Sequence, residues 1–172
     1  MGFIEYLIHL MNQIKDDTMT THVQPNRVQR VELIQKHEEL RLKAYLPTPH
    51  DVPTIGWGHT STAKMGMEIT EAQALALFRK DLTWVRKVIK GRVKVPLTQM
   101  QYDALASFIF NLGGANFKSS TLLKRLNAYD YAGAANELLK WDKQRQNGEL
   151  VRLPGLTKRR REERALFLGG TK

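Results

Sequence analysis

The chain has 172 residues, 42% hydrophobic and 26% charged, which is the balance of a soluble globular protein and excludes a disordered chain, a fibre or a multi-span membrane protein. It has no Cys, so disulfides and thiolate metal sites are excluded and the core must hold in either redox compartment. Lys and Arg number 27 against 17 acids, and the resulting formal charge of +10 suits a polyanionic partner such as nucleic acid, anionic lipid or cell wall without choosing among them.

The excess of basic residues lies beyond residue 30; residues 1–30 are neutral. In the first fourteen residues, Phe3, Ile4, Leu7, Ile8, Met11 and Ile14 follow a helical spacing. The stretch is too short to span a bilayer and lacks a basic leader, so a helix packed on the domain is expected, with an interfacial membrane helix as the alternative. Residues 15–30 are polar and read as a linker, which leaves 31–172 as the main domain.

From Val31 the pattern tightens. It predicts a helix over 31–44, a Pro-rich loop over 45–53 and short strands with turns over 54–69. Thr70 with Gln73, and Thr98 with Gln101, have the spacing of capping boxes and each opens a helix. The first carries an apolar stripe of Leu75, Phe78, Leu82, Val85 and Ile89. Residues 102–112 are apolar nearly all round, as a buried central helix is, and Gly113-Gly114 ends it. Shorter helices are expected near 119–127, 130–142 and 157–168. The expected fold is α+β: a small lobe of helix and hairpin over about 31–70, a larger helical lobe over about 70–172, and a cleft between them. The run Lys158-Arg159-Arg160-Arg161, followed by Glu162 and Glu163, reads as a solvated helix face with internal ion pairs. No aromatic residue interleaves it, so nucleic acid is not the expected partner.

Two segments carry the residues suited to chemistry. In the helix predicted over 31–44, Glu39 shares a wet face with Glu32, Gln35, Lys36 and Lys43, whereas Glu38 shares a face with Val31, Ile34 and Leu42. Partial desolvation of a carboxyl group favours its protonated form, which a general acid requires. The pattern equally allows a structural carboxylate bridged to Arg41; what it separates is the two neighbours. In Pro53-Thr54-Ile55-Gly56-Trp57-Gly58-His59-Thr60, strand alternation puts Ile55, Trp57 and His59 on one face and Thr54, Gly56 and Gly58 on the other. The second face is nearly bare and would leave Thr54 free to hold a water or a sugar hydroxyl, although a bulge or tight hairpin explains the glycines as well. His59 points with Trp57 and is expected to be a hydrogen-bonded structural residue; nothing stands at metal-ligand spacing from it, and no metal or cofactor is expected.

These blocks resemble those of the phage-type lysozymes, glycoside hydrolase family 24. The resemblance rests on Glu38-x-Leu40-Arg41-Leu42-Lys43-Ala44-Tyr45 and on the Pro53–Thr60 block, and continues through Gln101–Leu105, Phe108–Gly113, Ser120–Leu123 and Arg159–Phe167, covering about residues 31–169 in family order. It implies a muramidase, an endolysin that cuts the β-1,4 bond between N-acetylmuramic acid and N-acetylglucosamine in peptidoglycan with inversion at the anomeric carbon. The family's general acid falls on Glu38 and its water-positioning threonine on Thr54. Thr60 and Phe110 match positions lining the family's substrate cleft, with Asn111 and Ser120 as further substrate-binding candidates.

Two departures stand out. The family's Gly after the acid is Glu39 here, which a solvated face tolerates. The family's Asp two residues after the Tyr is Pro47 here, in a loop that is one residue longer. Asp51 is the only acid within that loop and is expected to supply the second carboxylate, or else only to shape the turn before Pro53. The departure also raises an alternative, a wall-binding protein that has kept the cleft and lost catalysis. The expected setting is a monomer made in the host cytoplasm without a signal peptide, delivered to the wall by a holin. Contact with an anionic or outer membrane is expected through the basic C-terminal helix or the N-terminal helix.

Overall fold

The computed structural model describes residues 25, 27–48, 51–146 and 148–170; the helix expected within residues 1–14 lies outside them. Its described elements run α1 (Val31–His37), β1 (Arg41–Tyr45), β2 (Thr54–Gly56), α2 (Glu71–Arg92), α3 (Gln99–Leu112), α4 (Gly114–Ser119), α5 (Thr121–Asn127), α6 (Tyr131–Leu138), β3 (Lys143–Gln146), β4 (Glu149–Arg152) and α7 (Pro154–Phe167). The fold is helix-rich α+β with two small antiparallel ribbons, β1–β2 and β3–β4.

Both capping boxes form: Thr70 accepts from the Gln73 amide and Thr98 from the Gln101 amide, with each glutamine side chain bonding back to its cap. Every residue of α3 from Tyr102 to Ile109 is buried, and the helix packs against α7, α2, α1 and α4. The core joins Phe78, Leu82, Val85 and Ile89 of α2 to Leu105, Phe108 and Ile109 of α3 and to Phe117, Leu126, Leu138 and Phe167 of the later helices. Gly113 ends α3 at φ +84, a conformation that glycine adopts freely. The polar segment before α1 is tied down: Gln29 and Arg30 donate their amides to the buried carboxylate of Asp103 at 2.9 and 3.2 Å.

Three expectations need correction. The helix predicted over 31–44 stops at His37, and Glu38 already has extended backbone, φ −109 and ψ 129. Residues 41–45 form a strand because they are paired on both sides. Arg41 and Tyr45 face Gly56 and Thr54 across an irregular register, while Ile69 and Ala44 donate amides to the carbonyls of Leu42 and Met67. A second ribbon at 143–152, for which the sequence reading had no element, is held by its own ladder from Lys143↔Arg152 to Gln146↔Glu149. The third correction concerns α7. Arg159, Arg160 and Glu163 are buried, so the basic run is not a solvated face. Together with Leu166 and Phe167 they occupy the spacing of a core stripe, with charges where apolar residues usually stand.

Candidate active site

The ribbon β1–β2 continues into a hairpin at its end. Gly56 (φ +65) and Gly58 (φ +83) turn the chain so that His59 comes back opposite Ile55, with both amides exchanging hydrogen bonds at 2.9 Å. The strand alternation expected through residue 60 therefore ends at Gly56, and the tight hairpin is the arrangement present. The glycines serve two close approaches. A Cβ at Gly56 would lie 3.5 Å from the Ala74 Cβ, so the ribbon sits directly on α2; one at Gly58 would lie 4.0 Å from Oε2 of Glu38. His59 locks this arrangement. It is buried, its Nδ1 lies 2.9 Å from Asp81 of α2, and its Nε2 lies 2.7 Å from the Thr62 hydroxyl. With Asp81 as acceptor, Nδ1 carries the proton and Nε2 receives the Thr62 O–H.

Glu38 stands beside this hairpin at the C-terminal end of α1. Its partner is not Arg41, which instead pairs with the exposed Glu39 at 2.8 Å. Arg159 of α7 donates from Nη1 to Glu38 Oε1 at 2.6 Å; the Arg159 side chain is 3% exposed and that of Glu38 is 24% exposed. One oxygen of Glu38 is thus committed to a buried cation, while the other faces the bare Cα of Gly58. Arg159 belongs to a larger buried set. Its Nε donates to Glu163 Oε1 at 3.2 Å and its Nη2 to the Ser107 carbonyl at 3.2 Å. Glu163 Oε1 also accepts from the Ser107 hydroxyl at 2.7 Å and from Arg160 Nη2 at 2.9 Å. Arg160 reaches Asn111 Oδ1 at 3.0 Å, and its guanidinium lies over the Phe108 ring at 5.0 Å. Burial pushes the Arg160 guanidinium down to about 10, against the opposing pull of Glu163, and pushes Glu163 up against the pull of Arg160 and Arg159.

Thr54 is nearly buried at 5% exposure, and its hydroxyl donates to the Val52 carbonyl at 3.1 Å. That bond uses the hydroxyl proton and leaves the oxygen able to accept from a water. Asp51 is exposed; its amide donates to the Thr48 carbonyl at 3.1 Å, and its side chain makes no hydrogen bond to a described residue. Thr60 is exposed beyond the hairpin. Phe110 is half-buried between Phe78, at 5.5 Å between ring centroids, and Trp84, stacked at 6.4 Å. Asn111 holds Arg160, and Ser120 is a buried cap of α5 whose hydroxyl donates to Phe117 O and accepts from the Leu123 amide. Among the described residues no group of His, Asp and Glu stands together to hold a metal ion.

The sequence reading missed Arg159, Glu163 and Trp84. Arg159 and Glu163 had a usable signal, opposite charges one helical turn apart in phase with Leu166. Trp84, 37% exposed, falls off the apolar stripe of α2 and is noticed only once Phe110 lies beneath it.

The phage lysozyme family model matches residues 35–163. The endolysin of Acyrthosiphon pisum secondary endosymbiont phage 1 is 49% identical over 135 residues, spanning 78% of this chain and 92% of that protein. The endolysin of Salmonella phage P22 is 44% identical over 140 residues, with the same shares covered. Among solved structures, the muramidase domain of SpmX from Asticaccaulis excentricus superposes with a TM-score of 0.80 at 38% identity, covering 84% of this chain and 99% of that one. A variant of P22 lysozyme gives a TM-score of 0.71 at 39% identity over 83% of this chain and 98% of its own.

Proposed function

From the chain's membership of the phage lysozyme family, a family of glycoside hydrolases, we propose that it is an endolysin that cuts the β-1,4 bond between N-acetylmuramic acid and N-acetylglucosamine, with Glu38 as general acid. The observation that carries this assignment is the position of Glu38: one carboxylate oxygen is fixed by Arg159, and the other is turned toward the glycine hairpin, where no side chain intervenes. The protonated carboxyl passes its proton to the glycosidic oxygen as the bond to the anomeric carbon breaks. Water attacks that carbon from the opposite face, and a second group takes its proton. Thr54 orients the water through the free lone pairs of its hydroxyl. Asp51 is the carboxylate of its loop that would receive the proton, from a position open to solvent. Thr60 and Phe110, with Trp84 stacked on Phe110, present surface to the sugar chain.

The proposal extends to the setting: a monomer made in the host cytoplasm, given access to the wall by a holin, and drawn to the anionic envelope by its excess of cations. Such attraction is a rate effect, and added salt should slow wall clearing.

The test is reducing-end release from purified cell walls. Glu38→Gln keeps the shape and removes the proton, and is expected to lower release about 1000-fold. Glu39→Gln, on an exposed surface pair, should leave it unchanged. Equal losses from the two substitutions would overturn the assignment of the acid. Wall binding by the unaltered protein with no reducing ends released would make it a binder of the same fold.

A further inference from the structure

The ion pair between Glu38 and Arg159 poses a problem for a general acid, because a fully available guanidinium favours the ionised carboxylate. The guanidinium here is not fully available. Its Nη1 serves Glu38 while its Nε is held by Glu163, a residue with no exposed surface that does not reach the hairpin. We propose that Glu163 is a positioning residue for the reaction: it grips the far edge of Arg159, divides that cation between two carboxylates, and so leaves Glu38 able to carry its proton when substrate arrives. The inference rests on the reading of Glu38 as the acid.

Three observations support it. Glu163 Oε1 gathers Ser107, Arg159 and Arg160, so the carboxylate is fixed from α3 as well as from its own helix. Arg159 is further fixed through the Ser107 carbonyl, which sets the direction in which Nη1 points. Arg160 is left with Nε and Nη1 lacking hydrogen-bond acceptors among the described residues, although Nε lies 2.9 Å from Glu163 Oε2. An imperfectly satisfied buried pair is a poor device for stability alone. The other charged or titratable groups bearing on this set are Glu38 itself, His37 of α1, which feels the charge of Arg159, and Glu162 of α7, which bonds His37. α3 contributes Ser107 and Asn111, neither of which titrates.

The experiment compares the unaltered enzyme with Glu163→Gln, which preserves shape and removes one negative charge. Two readouts are taken: the pH dependence of wall hydrolysis, and the titration midpoint of the Glu38 carboxyl carbon by NMR on selectively labelled protein. With Glu163 neutral, Arg159 acts wholly on Glu38. The midpoint and the alkaline limb of the rate profile should both move to lower pH by about one unit, a tenfold loss of active enzyme on that limb. If the single substitution does not fold, Glu163→Gln combined with Arg160→Gln restores the charge count; the shift should then keep its direction at about a threefold effect. A Glu38 midpoint that does not move in the folded variant overturns the proposal. A midpoint that moves while the rate profile stays in place shows that Glu38 is not the acid, and the failure then lies with the underlying reading.

Discussion

The two sides of the site are built on different principles. The acid side is dry and over-determined: Glu38, Arg159, Glu163 and Arg160 form a linked set between α1, α3 and α7, with Ser107 and Asn111 closing it. The water side is a short ribbon with the exposed loop that joins its strands, where the Thr54 hydroxyl has one hydrogen bond and the Asp51 side chain has none to a described residue. Changes on the dry side should therefore disturb folding and activity together, and changes on the wet side should disturb activity alone. Rigidity suits the acid, whose proton must be delivered along one direction. On the proposed reading, an open water side leaves room for a bulky polymer to enter and leave.

The comparison is broken most directly at Arg159. Removing one partner of a buried ion pair strands the other, at about 3 kcal/mol or more. Arg159→Met should lower the melting temperature by roughly 10 °C and reduce wall clearing at temperatures where the protein is still folded. A variant with native stability would mean that the buried set is not an energetic unit. Thr54→Val on the opposite side keeps volume and removes the hydroxyl. It should cut turnover on the order of tenfold, with a melting temperature shifted by no more than the loss of one hydrogen bond to Val52, about 1 kcal/mol. Loss of folding comparable to that of Arg159→Met would erase the distinction between the two sides. Asp51→Asn should lower turnover several-fold with no change in melting, as expected of an exposed proton acceptor assisted by solvent. Unchanged turnover would reduce Asp51 to a turn residue and leave Thr54 to position the water alone.

How much of this was legible in the sequence differs between the same two regions. Helix starts at Thr70 and Thr98 were readable because a capping box is local, and the buried α3 was readable because its apolar residues surround the axis. The fold class followed from these. Glu38 was singled out by a helical-face argument although it has extended backbone; its separation from Glu39 persists because the chain passes into β1, where neighbouring side chains again point apart. Pairing with β2 and with residues 67–69 overrode the helical period, and such pairing is non-local information. The ribbon β3–β4 was illegible because every described side chain in it is exposed, so no alternation marks it. Arg159 was hidden by composition: four basic residues in a row look solvated until Glu163, Ser107 and Glu38 are seen to surround two of them.

The smallest expected effect tests how the acid side is anchored at its outer edge. Glu162 of α7 accepts from Lys36 at 2.7 Å and lies 2.9 Å from His37 Nε2, which ties α1, and hence Glu38 at its end, to α7. Burial raises the proton affinity of Glu162, but the hydrogen bonds from Lys36 and His37 outweigh it and hold the group below its ordinary value; burial also holds His37 below its own, despite Glu162. Both shifts have the same sign in their consequence. A depressed His37 means that the unfolded chain takes up the proton first, so stability begins to fall as pH drops below about 6.5. A depressed Glu162 adds stability that is present above about 4.5 and lost below it. Acidification from pH 7 to about pH 3 should thus lower the melting temperature in two steps, and Glu162→Gln should abolish the lower step and deepen the upper one, because the carboxylate no longer titrates and no longer opposes the lowering of His37 by burial. A melting profile that keeps the lower step unchanged in Glu162→Gln would place the acid-sensitive contact elsewhere, with Asp130, the N-cap of α6 that Arg125 holds below its ordinary value, as the next carboxylate to examine.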